Sequence, residues 1–291
     1  MKITVFQFSP AFAAVRQNIE KIEGALDGLR TDLVVLPELC TTGYLFASPD
    51  DVGILAEPIP GGESVRRFET LCRRNRFHMV AGIAESAGAS CYNSAVLVGP
   101  GGWIGAYRKI HLFWKEKTWF APGNSAFRAW DIGSVRVGLM VCFDWIYPEA
   151  ARSLALQGAD ILCHPANLVL PYCPDAMVTR SVENRVFAVT ANRIGSEERD
   201  GIPKLTFIGR SQAVGPSGEI LFRMGETEEG IRTVEINPRL ARDKKIMNTN
   251  DLWLDRRPEL YALPSSPACA GSGGVRQHPP RNRCPEGGDG G

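Results

Sequence analysis

Three side chains in this chain have the chemistry of a hydrolytic site: Glu38, Lys109 and Cys142. Cys142 lies in Ser134–Ala151, SVRVGLMVCFDWIYPEAA, between the apolar, β-branched run Val135–Val141 and Pro148, which suits the first turn of a helix. A thiol at a sharp strand-to-helix transition is held rigidly beside backbone N–H groups that have no helical partner. Those groups can receive the negative charge that a nucleophile's attack creates. On its own this stretch fits a small buried hydrophobe at least as well, the common fate of a free cysteine. Glu38 follows the apolar run Asp32–Leu36 and Pro37, where proline ends the strand ladder. It reads either as a structural cap or as a desolvated carboxylate able to act as a base. Lys109 belongs to Tyr107–Gly123, YRKIHLFWKEKTWFAPG, where four large aromatics (Phe113, Trp114, Trp119, Phe120) interleave with charge in the manner of a pocket wall. Together the three make a coherent machine. The carboxylate takes the thiol proton, the thiolate attacks a carbonyl or nitrile carbon, and the ammonium stabilises the developing charge.

The elements that must position them alternate strand and helix. Lys2–Phe8 is a first strand, and Asn18–Leu29 has helical apolar spacing at Ile19, Ile22, Leu26 and Leu29. Residues 61–77 read as a helix with Val65, Phe68, Leu71 and Cys72 on one face and five arginines as a solvated flank or interface. His78–Glu85 and Tyr92–Val98 are strands, and the turn Gly99-Pro100-Gly101-Gly102 leads back into Trp103–Tyr107. A helix over Arg152–Gln157 precedes the strand Asp160–His164. Asp175 is then a suitable N-cap for a helix over Ala176–Arg185, and Val186–Asn192 is another strand. Phe207–Val214, Glu219–Phe222 and Gly230–Ile236 complete the strands; Asn237 caps a short helix opened by Pro238. Residues 1–261 could thus form one large α/β domain or two smaller ones, and 262–291 shift to Gly, Pro, Ser and Arg, a disordered tail dispensable for chemistry.

Composition narrows the function. A chain of 291 residues with 44% hydrophobic content buries a sizeable core. With 33 basic and 32 acidic residues, net charge +1, nothing steers it to nucleic acid or an anionic membrane. No apolar run has the length of a membrane span and MKITVFQFSP lacks a signal-peptide core, so the expected compartment is the cytoplasm. The eight cysteines, at 40, 72, 91, 142, 163, 173, 269 and 284, show no metal-ligand spacing. Cys163 and His164 are adjacent on a strand and point to opposite faces. Most of these thiols are expected reduced and inert, and neither a metal nor an organic cofactor is called for. His78 and His164 read as structural, His111 as structural or functional, and His278 lies in the tail.

LPE at Leu36–Glu38, YRKIHLF at Tyr107–Phe113 and VCFDWIYPE at Val141–Glu149, in that order and spacing, resemble the nitrilase superfamily of carbon–nitrogen hydrolases over roughly residues 1–261. Within it the chain is most similar to the small thermophilic archaeal-type aliphatic nitrilases, sharing CFDW, HPANLV and the Glu116–Lys117 pair. The resemblance implies a four-layer α-β-β-α sandwich that pairs as a homodimer or higher homo-oligomer through helices near Arg152 and Ala176. It implies Glu38 as general base and later acid, and Lys109 as stabiliser, aided by the Phe143 N–H. It makes Cys142 the thioester-forming nucleophile and Glu116 a second glutamate orienting substrate and lysine. Asp144 and Glu149 are then structural. Tyr44, Phe113, Phe143, Trp145 and Asn167 are the expected substrate contacts. Relatives that hydrolyse N-carbamoyl amino acids or ω-amides place arginine after the Cys-x-Asp; Trp145 and Ile146 stand there, which favours a small, neutral, aliphatic amide or nitrile.

Three rival readings stay open at this stage. One is an N-carbamoyl amine amidohydrolase. Another is a Cys–His thiol hydrolase pairing Cys142 with His111 or His164. The third is a non-catalytic binding protein, in which Glu38, Lys109 and Cys142 would usually be eroded; all three are intact.

Overall fold

The computed structural model describes residues 1–199 and 201–261. The two ends of the expected tail therefore bracket a segment, 262–291, that lies outside the described residues, along with His278, Cys269 and Cys284.

Two β-sheets stack face to face with helices on both outer surfaces, a four-layer α-β-β-α sandwich. In spatial order the first sheet runs Gly230–Glu235, Lys2–Gln7, Leu33–Val35, His78–Ala87, Ser90–Gly99 and Gly102–Arg108, with Glu57–Pro58 beside His78–Ala87. The second runs Ile220–Arg223, Gln212–Val214, Phe187–Ala191, Ile161–Pro165, Arg136–Leu139 and Ala129–Asp131. Side-chain alternation builds the layers. Ile3, Val5, Val35 and Val80 face Val137, Leu139, Leu162 and Ala188 across the sandwich. Their neighbours Val34, Leu36, Met79 and Ala81 point outward, to Ile19, Ile22 and Leu26 of the helix Val15–Leu26 and to Val65, Phe68 and Leu71 of the helix Glu63–Asn75. On the far side, Ala151 and Leu154 of Pro148–Leu156 and Met177 of Cys173–Asn184 cover the second sheet. Gly138 lies so close under Leu154 that an added Cβ would stand 3.0 Å from it.

The boundaries differ from the sequence pattern where a local group decides. The first helix begins at Val15 rather than Asn18, because the Asn18 side chain is bound to both the N–H and the C=O of Ala11 and to the Thr41 carbonyl. It ends before Gly28, whose φ of +73° breaks the helix ahead of Leu29. Asp175 is not an N-cap. Pro174 occupies the first turn of Cys173–Asn184, and Asp175 lies inside it, paired with Arg223 at 2.9 Å. The helix expected over Arg152–Gln157 starts at Pro148, the residue whose type suits a first turn, and ends at Leu156. Of the strand expected over Phe207–Val214 only Gln212–Val214 is regular, since Gly209 and Arg210 have φ of +56° and +57°. A hairpin not expected from the periodicity, Ser196–Arg199 with Ile202–Thr206, forms a separate two-stranded sheet. The Asp200–Gly201 dipeptide was its available turn signal. No helix among the described residues is long and apolar enough to cross a membrane.

Candidate active site

Both sheets present the carboxyl ends of parallel strands to one region. Leu33–Val35 pairs in parallel with Lys2–Gln7 and His78–Ala87, and Glu38 emerges three residues beyond it. The segment is pressed onto its neighbour: Leu36 N–H donates to Val80 O (2.8 Å), and an added Cβ at Gly82 would stand 2.4 Å from Glu38 Cα. Lys109 follows directly on Gly102–Arg108. Its N–H donates to Asn93 O and its carbonyl accepts from Gly123 N–H, each at 2.8 Å. Cys142 opens a 3-10 turn, Cys142–Ile146, after the strand Arg136–Leu139. Its φ of +41° is the left-handed conformation that a cysteine rarely takes, as expected of a nucleophile turned out of a strand.

That elbow is pinned by Asp144. Its carboxylate accepts from Val141 N–H (2.8 Å) and Tyr107 Oη (2.8 Å) and lies 2.7 Å from His111 Nδ1. On the other side, His164 Nε2 reaches the Cys142 carbonyl at 2.8 Å and its Nδ1 reaches Thr190 Oγ1 at 3.0 Å. Both histidines are thus engaged with partners other than the thiol, and burial lowers the His164 imidazole so that it stays neutral.

Glu38, Lys109 and Glu116 form a buried chain of charge. Lys109 Nζ donates to Glu38 Oε1 at 2.7 Å and to Glu116 at 2.8 Å, with all three side chains fully buried. Asn93 Nδ2 donates to the same Glu38 oxygen at 2.6 Å, whereas Glu38 Oε2 is buried without a hydrogen-bond partner. Tyr44 Oη donates to Glu116 Oε1 at 2.7 Å. Burial raises the Cys142 thiol well above its ordinary value; Glu38 and Glu116 add to this, against Lys109 and the Asn167 N–H. The resting sulfur is therefore a thiol. Burial works against the Lys109 ammonium, but Glu116 and Glu38 hold it above its usual range, so it is charged. Glu116 is pushed up to about 7 by burial, against the pull of Lys109.

The other sequence candidates are placed unevenly. Phe143 sits in the first turn beyond Cys142, and its ring meets that of Phe113 at 5.1 Å. Asn167 lies after the strand Ile161–Pro165; its backbone N–H works against the rise of the Cys142 thiol, and both polar atoms of its buried side chain lack partners. Trp145 is buried in the hydrophobic cluster around the second sheet. Tyr44 has its hydroxyl committed to Glu116 rather than left open. The four aromatics do not form one wall: Trp119 and Phe120 pack with Tyr44 and Phe46, whereas Trp114 is exposed. Nothing in the local pattern singles out Asn93, although a buried amide amid the apolar strand Ser90–Gly99 was a signal available. Among the described residues no group of three or more His, Cys, Asp or Glu gathers as a metal site.

A family model for carbon–nitrogen hydrolases matches residues 2–245. The chain belongs to the carbon–nitrogen hydrolase family. This hydrolase is 46% identical to a nitrilase of Pyrococcus abyssi over 90% of this chain and 99% of that one. It is 29% identical to an N-carbamoylputrescine amidase of Solanum lycopersicum over 84% of this chain and 87% of the relative. Among solved structures, an amidase of Nesterenkonia sp. superposes with a TM-score of 0.73 at 26% identity, covering 89% of this hydrolase and 94% of the amidase. A structure of a glutamate-to-glutamine variant of an amidase from Nesterenkonia sp. AN1 shows covalent addition of the acetamide moiety of fluoroacetamide at the active-site cysteine.

Proposed function

We propose that this hydrolase cleaves small, neutral, aliphatic amides or nitriles through a covalent Cys142 intermediate, releasing ammonia. The observation that carries this reading is the Lys109 bridge between Glu38 and Glu116, at 2.7 and 2.8 Å, beside a thiol that burial keeps protonated. A protonated thiol needs a base at the moment of attack, and Glu38, with Oε2 unpartnered, supplies one. For an amide, the thiol proton moves to Glu38 as sulfur bonds to the carbonyl carbon. Charge gathers on the carbonyl oxygen, where Lys109 and the Phe143 N–H stabilise it. Glu38 returns the proton to the leaving nitrogen, ammonia departs, and a thioester remains. Water, deprotonated by Glu38, then attacks the thioester, and carboxylate and free thiol result. A nitrile enters by the same attack as a thioimidate, which water converts to the thioester as ammonia is lost. Glu116 orients the lysine, and the unpartnered Asn167 amide is offered to the substrate.

The charge balance supports a neutral substrate. Two carboxylates surround one ammonium, and among the described residues the other buried Lys or Arg side chain, Arg193, is bound to Glu197. A substrate carboxylate would find no free partner there. The Cys–His reading is disfavoured by the partners of His111 and His164. The N-carbamoyl reading is favoured by N-carbamoylputrescine amidases among the relatives, at 28–30% identity, below the 46% of the nitrilase. We further propose that residues 1–261 are the hydrolase domain and that it forms a homodimer or higher homo-oligomer through the exposed Ile146, Tyr147 and Val182 beside the two outer helices of the second sheet. Light scattering in solution would test the assembly.

The reaction is tested by ammonia release from short aliphatic amides, short aliphatic nitriles and N-carbamoyl amines, run beside Cys142→Ala. Release from amides or nitriles that the variant abolishes is the expected result. Release from carbamoyl compounds alone would keep the chemistry and overturn the substrate class, and unchanged release by Cys142→Ala would sink the nucleophile.

A further inference from the structure

We propose that Glu197, in a buried ion pair with Arg193, is a positioning residue for hydrolysis, fixing the Tyr44 turn so that the Tyr44 hydroxyl holds Glu116. The inference rests on the catalytic reading of Glu116 and Lys109 given above. Glu197 lies on the hairpin strand Ser196–Arg199, 153 residues along the chain from Tyr44. Its carboxylate nevertheless accepts from two consecutive backbone N–H groups, Tyr44 (3.0 Å) and Leu45 (2.6 Å). Arg193, 1% exposed, donates to the same carboxylate and to the Pro10 carbonyl at 3.1 Å. Its guanidinium lies 4.1 Å from the Phe207 ring centroid, and Phe207 meets the Tyr44 ring edge-on at 5.9 Å. The pair therefore grips Tyr44 twice, by its backbone through Glu197 and by its ring through Phe207.

The turn is seated against the carboxylate with no slack. Gly43 has a φ of +79°, and an added Cβ there would stand 2.8 Å from Phe12 Cα and 2.9 Å from Glu197 Oε1. From this seat Tyr44 Oη reaches Glu116 at 2.7 Å, Glu116 receives Lys109 at 2.8 Å, and Lys109 reaches Glu38 at 2.7 Å. Stability alone is a weak reason to keep such a pair, because a well-packed apolar pair is often as stable as a buried ion pair. Two fixed acceptors for two adjacent N–H groups are something an apolar pair could not provide.

The test is a double-mutant cycle of Tyr44→Phe and Glu197→Gln, with kcat and KM measured by ammonia release well below each variant's Tm. Each single change should lower kcat about tenfold or more, as loss of a hydrogen bond to a charged group does, with KM moving less. The double variant should lose no more than the worse single one, because both act through Glu116. If Glu197→Gln does not fold, Gly43→Ala, which pushes the same turn off the carboxylate, takes its place with the same expectation. A lowered Tm with wild-type kcat, or losses that multiply in the double variant, would overturn the proposal. Cys142→Ala, run alongside, separates the two levels. If it is dead while Glu197→Gln is fully active, only the positioning role fails; if it is active, the hydrolytic reading fails as well.

Discussion

Asn93 holds the two ends of the Glu38–Lys109 pair at once: its side-chain amide donates to Glu38 Oε1 at 2.6 Å, and its carbonyl accepts the Lys109 N–H at 2.8 Å. One Glu38 oxygen is saturated by Asn93 and Lys109; the other has no partner, and in the proposed mechanism it is the one that exchanges the proton. Asn93→Ala keeps the backbone contact and removes only the side-chain donor. A hydrogen bond to a charged group is worth about 1.5–3 kcal/mol, so kcat should fall roughly tenfold to a hundredfold. Steady-state ammonia release checks this, and an unchanged kcat would show that Glu38 needs no such support.

The histidines and the lysine can be separated directly. His111→Asn and His164→Asn should each keep kcat within about tenfold, because neither ring nitrogen pair is spent on the thiol. His164→Asn should also lower Tm, since the Cys142 carbonyl and Thr190 lose a buried partner worth about 1–3 kcal/mol. Lys109→Met should cost about a hundredfold to a thousandfold in kcat, the scale of a lost oxyanion donor. It should cost stability too, because Glu38 and Glu116 are left facing one another in a buried site. A histidine variant as inactive as Lys109→Met would restore the Cys–His mechanism.

What the sequence displayed was the set of residues standing at abrupt local changes. Glu38 follows Pro37 at the end of an apolar run and Cys142 precedes a proline-opened helix, so strand ends could be read and the groups placed on them. The partners were hidden because they come from far along the chain. Asn93 meets Glu38 across 55 residues, Tyr44 meets Glu116 across 72, and Glu197 meets the Tyr44 backbone across 153. Periodicity reports which side of an element is apolar and is silent about which distant polar group a buried one will find. The same limit explains the aromatic segment. Trp114 and Trp119 are alike in type, but a φ of +48° at Trp114 turns it to solvent while the short helix Glu116–Trp119 turns Trp119 inward.

Activity and stability should respond to pH in opposite senses through Glu116. Its carboxyl is pushed up to about 7 by burial, from an ordinary value of 4.5. Between those values the folded chain keeps a proton that the unfolded chain has released. The stabilising contribution is therefore complete below 4.5 and is lost as pH rises through about 7. The carboxylate that accepts from both Lys109 and Tyr44 is the ionised form, so kcat should climb over the same interval. Glu116→Gln should lower kcat and remove that limb. Its Tm, compared with wild type from about pH 5 to about pH 8, should lack the wild-type decline assigned to this group. Parallel Tm profiles for the two proteins would rule out Glu116 as the titrating group.

Two glycines set how closely the backbone can approach the acid and the lysine. An added Cβ at Gly82 would stand 2.4 Å from Glu38 Cα, and one at Gly123 would stand 2.1 Å from the Arg108 carbonyl oxygen and 3.1 Å from Lys109 C. All of these neighbours are backbone, so the strain cannot be relieved by a side-chain rotation. Gly82→Ala and Gly123→Ala should each cost about 1–3 kcal/mol, the range for overpacking. At about 2–4 °C of Tm per kcal/mol for a chain of this class, the shift is readily measured. The loss of kcat should exceed what unfolding explains, because the displaced segments carry Glu38 and Lys109. Gly101→Ala, where an added Cβ meets nothing within 4 Å, is the control and should be close to wild type in both respects. If Gly82→Ala lowered Tm but retained full kcat, the approach of His78–Ala87 to Glu38 would be a packing requirement alone, with no bearing on where the carboxylate sits.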